Sequence, residues 1–275
     1  MKLWKKLLCF ALLVAGYLYW QDNGIMVTKY SYQNEKVPPS FFGYRILQLS
    51  DLQNKVFGKH HKKIISLIQK QKPDCIVITG DLLDRNRTNI DSVMELISHI
   101  VTIAPVYYVS GNHEHQSGKY DTLLPLLKEY EVFILENNKE SITKGKDSIS
   151  LLGIKDKSVN ANYQKVLSVL SKTNTTEFQI LLSHRPELLS IYSQYDIDIV
   201  FAGHAHGGQI RIPWIGGLFA PHQGFFPKYT SGIYTERHTT MVVSRGLGNS
   251  TFPFRIHNRP ELVVVTLGSV QKGEI

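Results

Sequence analysis

The chain has 275 residues, 43% of them hydrophobic and 20% charged. That is enough for one large domain or two small ones, and it is not the composition of a disordered chain. Its net charge of +8, with a pI near 9.3, fits anionic partners such as phosphate esters, nucleic acid or anionic lipid. No helix-turn-helix, zinc-finger or RNA-stacking signature accompanies that charge, so no stable nucleic-acid partner is expected. The two cysteines, Cys9 and Cys75, form no Cys-x-x-Cys and do not identify a redox compartment.

In chain order, Lys2, Lys5 and Lys6 precede an apolar run over residues 7–20. Counted from Leu3, with the lysines snorkelling, the run is long enough to span a bilayer. Trp4, Tyr17, Tyr19 and Trp20 stand where interfacial aromatics belong. The competing reading is a cleaved signal peptide, but a cut after Gly16 falls inside the apolar run and lacks Ala-x-Ala. Residues 1–20 therefore read as an uncleaved signal-anchor, a transmembrane helix. The positive-inside rule then puts the N-terminus in the cytoplasm, with a single pass through the cell membrane and the remaining chain extracytoplasmic. Residues 21–42, with Pro38-Pro39, read as a tether plus an edge element, and residues 43–270 as the folded domain.

From there, apolar runs alternate with amphipathic segments. Strands are expected at 44–49, Cys75–Thr79 and 106–110. Helices are expected at 61–71, with Ile64, Ile65 and Ile68 on one face, at 91–100 and at 120–130. This is β-α-β patterning with a largely parallel sheet. Further strands are expected at 132–135, 148–154, 179–183, 197–202, 239–244 and 261–267, with helices only at 161–171 and 186–192. The fold class is α/β, with a second, mixed sheet packed on the first and helices outside.

The chemistry lies at the strand ends. The first strand ends in Asp51-Leu52-Gln53, and the second in Gly80-Asp81-Leu82-Leu83-Asp84. Gly111-Asn112-His113-Glu114 follows the third, His184 another, and Gly203-His204-Ala205-His206 the strand at 197–202. Carboxyl ends of parallel strands are where α/β proteins place ligands. Taken singly, an Asp after a strand is often a helix cap, Gly-Asn a turn, and a lone His a satisfied polar group. Together they converge Asp, Asn and His donors on one region, with imidazoles that suit Zn, Fe or Mn-type centres.

These blocks resemble the calcineurin-like metallophosphoesterases, whose pattern is Asp-x-His, Gly-Asp-x-x-Asp, Gly-Asn-His-Glu, His and Gly-His-x-His. The tracts His206-Gly207-Gly208-Gln209, Phe226-Pro227-Lys228-Tyr229 and Ser244 to Asn249 are similar to the membrane-associated bacterial branch. That branch includes relatives acting on UDP-2,3-diacylglucosamine. The resemblance implies a four-layer α/β/β/α sandwich and two metal ions (Mn, Fe, Zn or Mg). It implies that Asp81 bridges them, that Asp51, Gln53 and His206 serve the first, and that Asn112, His184 and His204 serve the second. Such an enzyme hydrolyses a phosphodiester or pyrophosphate with metal-activated hydroxide. His113 would be catalytic, protonating the leaving oxygen or steadying the charged phosphorane-like state, with Asp84 orienting it. Gln53 departs from the pattern, where the family usually has His. An amide oxygen is a harder, weaker donor, so the first site is expected to favour Mn or Mg over Fe or Zn, to bind more weakly, or to lose a ligand to water.

Arg185, Arg211, Arg245, Arg255 and Arg259 cluster near these blocks in sequence, and Arg245 is the expected substrate-binding residue, through forked hydrogen bonds. Segments 216–219 and 224–226 are apolar and glycine-spaced, which suits a lid or lipid-facing groove, or a small satellite core. The expected substrate is a phosphate ester or pyrophosphate, lipid-linked or a UDP-sugar-lipid. The alternatives are a catalytically weakened metal-binding or ligand-sensing module, motivated by Gln53, and a nucleotide phosphodiesterase.

Overall fold

A computed structural model describes residues 3–159, 162–171, 177–249 and 252–269. Lys2, Ala161 and residue 270, which the expected segments include, lie outside the described residues. In chain order the first elements are α1 (Leu3–Asn23), β1 (Met26–Gln33), β2 (Arg45–Leu49), α2 (Lys62–Gln71), β3 (Cys75–Thr79) and α3 (Ile90–Ile100). Then come β4 (Val106–Val109), α4 (Asn112–Gln116), α5 (Tyr120–Glu129), β5 (Phe133–Ile134), β6 (Asn138–Lys144) and β7 (Asp147–Gly153). These lead to α6 (Tyr163–Leu170), β8 (Gln179–Leu182), α7 (Leu189–Tyr192) and β9 (Ile199–Ala202). Four two-residue strands follow: β10 (Arg211–Ile212), β11 (Gly216–Gly217), β12 (Phe219–Ala220) and β13 (Gly224–Phe225). The chain closes with β14 (Gly232–Glu236), β15 (Thr239–Val243) and β16 (Glu261–Gly268).

Two six-stranded sheets result, ordered β1-β16-β2-β3-β4-β5 and β14-β15-β9-β8-β7-β6. In the first, β2, β3, β4 and β5 run parallel, whereas β16 is antiparallel to β2. In the second, β7, β8, β9 and β15 run parallel and the edges β6 and β14 are antiparallel. β3 is buried at all five positions, as a Cys-Ile-Val-Ile-Thr run with both faces covered should be.

Three apolar clusters define the layers. Ile64, Ile68, Val93, Ile97 and Leu123 pack on Leu47, Ile76 and Ile78, so α2, α3 and α5 cover one face of the first sheet. Ile46, Val77, Val109 and Val265 meet Leu151, Ile180, Leu182 and Phe201 between the two sheets. Leu167, Leu170, Leu189 and Tyr192 close over Leu152, Leu181 and Val200 on the outer face of the second. Each side chain buried this way contributes roughly 1.5–3 kcal/mol relative to exposure. The helix-sheet-sheet-helix order brings the carboxyl ends of the parallel strands of both sheets to a common edge. Residues 186–192, expected as one helix, are a 3-10 turn at Pro186–Leu188 followed by α7. β6 and β14 were not expected as strands. β6 reads Asn-Lys-Glu-Ser-Ile-Thr-Lys, and only Ile142 is buried.

Candidate metal centre

Each motif turns sharply off its strand. Asp51, Gln53, Asp81, His204 and His206 all have positive φ, between +46° and +65°. A non-glycine residue there costs on the order of 1–3 kcal/mol. The surrounding backbone holds the turns: Asp51 N donates to Gly80 O (3.0 Å) and Gln53 N to Asp81 O (2.9 Å). Gly203 has to be glycine, because a Cβ there would overlap Ser50 Oγ and Asp51 Oδ2.

Asp81 is the centre of the cluster. Its Oδ1 accepts the His113 amide at 2.8 Å, and its Oδ2 lies 3.3 Å from His184 Nε2 and 3.0 Å from Gln53 Nε2. Asp51 lies 3.3 Å from His206 Nε2 and accepts the His204 amide at 3.1 Å. His204 Nδ1 stands 3.1 Å from His184 Nε2, and Gln53 Nε2 3.4 Å from His206 Nε2. Two groups of donors close enough to hold a cation emerge, Asp81–His184–His204 and Asp51–Asp81–His206, all buried and sharing Asp81. The Thr79 carbonyl, 2.7 Å from His184 Nδ1, takes that N–H and leaves Nε2 facing Asp81. Holding a histidine by its far nitrogen is how ligating rings are oriented.

The amides sit beside these groups. Gln53 Oε1 and Asn112 Oδ1 are buried without a hydrogen-bond partner among the described residues, a state that costs about 1–3 kcal/mol for each group. Asn112 Oδ1 is a neutral oxygen donor that a cation would satisfy, and Gln53, which turns Nε2 toward Asp81 and His206, offers its oxygen there once the amide is turned over, so the residues present fit a metal. A third group, Glu187–His204–His222, is weaker ground for one. Arg185 Nη1 lies 2.9 Å from both His204 Nε2 and His222 Nδ1, and a guanidinium there repels a cation.

Electrostatics follow from burial and the two aspartates. Burial alone would lower the pKa of His184, but the Asp81 carboxylate outweighs it and raises the imidazole to about 10. Burial and His184 together hold His204 well below its ordinary value. Glu114, also buried, is pushed up to about 8 by desolvation and by Asp81. Three N–H donors oppose that shift, from Asp81 (2.9 Å), Leu83 (3.0 Å) and Gly111 (2.7 Å), so Glu114 ties the second and third motifs together.

The expected catalytic pair is arranged differently from expectation. His113 Nδ1 accepts the Arg85 amide at 3.2 Å. The Asp84 carboxylate instead accepts the amides of Asn86 (2.8 Å) and Arg87 (2.9 Å), and no hydrogen bond joins it to His113 among the described residues. The amide of Arg245 donates to Glu261 at 3.0 Å, and its side chain lies against Glu261 (3.9 Å) and Met26 (3.9 Å), drawn there by a buried carboxylate. Arg185 is the arginine at the donor cluster, fixed by Asp156 through two bonds of 2.7 and 2.9 Å. Position after His184 is a sequence signal for Arg185; Asp156 and His222 carry none. Asn258 is a further missed residue, holding the metal loop by donating to His206 O at 2.7 Å and Gln209 O at 3.0 Å.

A cleft of about 700 Å³ lies beside this cluster, lined by Gln53, Lys55, Asp84, Arg85, Arg87, Asn249 and Pro253. A cleft of about 860 Å³ elsewhere, around Val101 to Val106 and Lys128 to Phe133, contains none of these side chains.

Buried Asp and His donors at the strand ends of such a layered fold define a metal-dependent phosphoester hydrolase, and residues 44–208 match the calcineurin-like phosphoesterases. The chain belongs to that family, which works with divalent metals. It is 31% identical over 259 residues to the metallophosphoesterase YkuE of Bacillus subtilis, covering 91% of this chain and 88% of that one. It is 29% identical over 232 residues to the phosphodiesterase YaeI of Escherichia coli, covering 82% of each. The solved structure of TT1561 from Thermus thermophilus shares the fold at a TM-score of 0.50, with 13% identity over 74% of this chain and 90% of that one.

Proposed function

We propose that the protein is a membrane-anchored hydrolase of phosphodiester or pyrophosphate bonds, working with two cations on a substrate at the bilayer surface. Asp51, Gln53, Asp81 and His206 would hold the first ion, and Asp81, Asn112, His184 and His204 the second. The observation that carries this reading is the sharing of Asp81 by two buried donor groups. Turning the Gln53 amide over exchanges its nitrogen and oxygen and sets the oxygen beside Asp81 and His206 as a fourth donor. Bound cations polarise phosphoryl oxygens and supply water of lowered pKa. Asn112 and Gln53 bring neutral oxygens, which suit Mn or Mg at least as well as Zn or Fe.

The protein's own groups do the rest. His113 Nδ1 accepts the Arg85 amide, so in the neutral ring the N–H sits on Nε2 and donates a hydrogen bond to a leaving oxygen; delivery of the proton itself requires the imidazolium, with Nδ1 protonated in place of the Arg85 contact, so that a neutral ring remains. Asp84 acts at one remove, bracing the turn that carries the Arg85 N–H. Arg185, steadied by Asp156, fixes His204. Lys55, Arg85 and Arg87 give the adjoining cleft a positive wall for phosphate.

α1 is long and apolar enough to cross a membrane, and Lys5 and Lys6 at its start favour a cytoplasmic N-terminus with the domain outside. The cleft reaches Asn249, whose amide bonds Asp22 at the end of α1 (3.2 Å). That continuity favours a lipid-linked substrate over a freely soluble one.

The test uses the full chain in detergent, stripped of metal and titrated with Mn, Mg, Zn and Fe. Turnover of a bis-aryl phosphodiester should exceed that of an aryl phosphomonoester and saturate at two equivalents of ion. Saturation at one equivalent would remove the two-cation reading. Absence of turnover with both ions bound would remove hydrolysis of simple esters.

Cation binding should also release a proton. In the cation-free protein His184, at about 10, is charged at neutral pH, and an ion at Asp81 displaces that proton. Apparent affinity should therefore rise about tenfold per pH unit above 7 and level off above pH 10. Calorimetry in buffers of different ionisation enthalpy reads the proton count directly; zero protons released at pH 7 would contradict the assignment of His184.

A further inference from the structure

The catalytic domain grips the last turns of α1. Gln21 is buried and its Oε1 accepts the Asn258 amide at 3.2 Å. Asp22 Oδ1 accepts the Arg255 amide at 2.9 Å. Arg259 lies over the Trp20 ring, 4.5 Å from its centroid, and the Tyr17 and His257 rings are 6.1 Å apart. Domain surface therefore runs alongside α1 as far back as Tyr17. Before that point the helix is bare: Leu7, Leu8, Phe10, Leu12 and Leu13 are all exposed.

This geometry sets a length problem. From Leu3 to Tyr17 the helix rises only about 21 Å, at 1.5 Å per residue. The hydrocarbon core is about 30 Å thick. Tilting shortens the reach further, and thinning the bilayer costs energy for each ångström of mismatch. A solution that keeps the bilayer at full thickness is for the domain surface around Tyr17 to enter the membrane interface itself.

What stands at that surface is suited to it. His257 lines a hollow of about 430 Å³ together with Arg211, Pro213, Trp214 and Ile215. These belong to the β10–β11 hairpin and its tip. Trp214 is wholly exposed (103%) and Ile215 is 65% exposed, so neither contributes burial to the fold. Two large apolar side chains presented together at a hairpin tip mark an interaction surface rather than packing. Tryptophan is the residue that partitions to the headgroup level.

We propose that Pro213, Trp214 and Ile215 form a second membrane contact, inserted at the headgroup–acyl boundary of the leaflet from which α1 emerges. The occupant of this apolar tip is the bilayer, because the tip adjoins the apolar helix through His257 and Tyr17. The hairpin base packs Gly217 against Gly208, next to His206, so insertion also draws the donor cluster toward the plane of phosphate headgroups. The proposal rests on the reading of α1 as a membrane span.

The test is a depth measurement on the full chain. Trp4→Phe and Trp20→Phe leave Trp214 as the single tryptophan, and the protein is reconstituted in phosphatidylcholine–phosphatidylglycerol vesicles. Expected are a blue-shifted emission and strong quenching by lipids brominated near the carboxyl end of the acyl chain, weaker with bromine near the bilayer centre. Flotation of the same vesicles separates the two ideas. A chain that floats while Trp214 stays unquenched by bromolipid overturns the hairpin proposal alone. That outcome counts against it whether aqueous acrylamide reaches Trp214 or a second protein surface shields it. A chain that does not float overturns the anchor and the hairpin contact together. Should the tryptophan changes impair folding, Ile215→Cys with Cys9→Ser carries a nitroxide at the same tip, with buried Cys75 left unlabelled. Greater accessibility to oxygen than to a water-soluble nickel complex then supports insertion, and the reverse overturns it.

Discussion

Asp81→Asn is expected to empty both cation positions and to abolish turnover of every ester. Asp81 is the one side chain common to the two buried donor groups, and it is the charge that His184 faces at 3.3 Å. An amide keeps the size and one oxygen but removes the negative charge from a site where little solvent screens it. Loss of an outer partner of a ligating residue usually weakens metal binding roughly 10–100-fold; loss of a shared carboxylate should exceed that at both positions. Asp51→Asn provides the comparison, because Asp51 belongs to only one group. Elemental analysis after dialysis should find neither ion in Asp81→Asn and one ion in Asp51→Asn. Two retained ions in Asp81→Asn, or equal losses in the two variants, would refute the assignment of Asp81 as the shared donor. The substitution also removes the charge that raises His184, so proton release on adding metal should disappear with it.

Sequence reading reached the donor residues more completely than the scaffold around them. The donors were legible because each follows an apolar strand directly, so its position in the chain fixes its position in space. Asp51, Asp81, His184, His204 and His206, which the structure gathers into two donor groups, stand out in the sequence by the rule that strand ends bear ligands; the division into two sites and the place of Asn112 rest on the resemblance to the calcineurin-like pattern. The edges were not legible. β6 and β14 expose most of one face, and their polar residues erase the period-2 pattern that marks a half-buried strand. β1 lies within the segment read as a tether plus edge element and pairs along its whole length with β16, a partner over two hundred residues away. No local pattern encodes such a pairing.

The supporting polar groups were harder still. Arg245 and Arg185 look alike in sequence, since each adjoins a motif. They differ in which buried carboxylate captures them, Glu261 for one and Asp156 for the other, and neither carboxylate lies near its arginine in the chain. The same holds for Asn258, which joins Gln21 of α1 to the backbone of His206. Within the segment read as a tether plus an edge element, Gln21 and Asp22 bond directly to the loop that braces the donor cluster. The end of α1 is thus coupled to the geometry of the site.

His113→Ala should leave both ions in place and still lower kcat, by an amount that depends on the leaving group. His113 belongs to neither donor group; its amide, not its ring, contacts Asp81, so removing the ring should not release metal. Nε2–H is held toward the site while Nδ1 faces the Arg85 amide, and from the imidazolium form the ring acts as a general acid, a contribution worth roughly 10²–10⁴-fold. An alkoxide leaving group needs that proton, whereas a nitrophenolate hardly does. The loss in kcat should therefore approach the upper end of that range for alkyl esters and shrink toward tenfold or less for nitrophenyl esters, a change in barrier of about 1.4 kcal/mol per factor of ten. A series of diesters graded by leaving-group pKa, assayed with wild type and variant at equal metal content, measures the difference in slope. Parallel slopes would mean that His113 stabilises charge on the phosphoryl group instead of delivering a proton. His113→Asn would then recover part of the rate, because an amide can hold an oxyanion but cannot act as the acid.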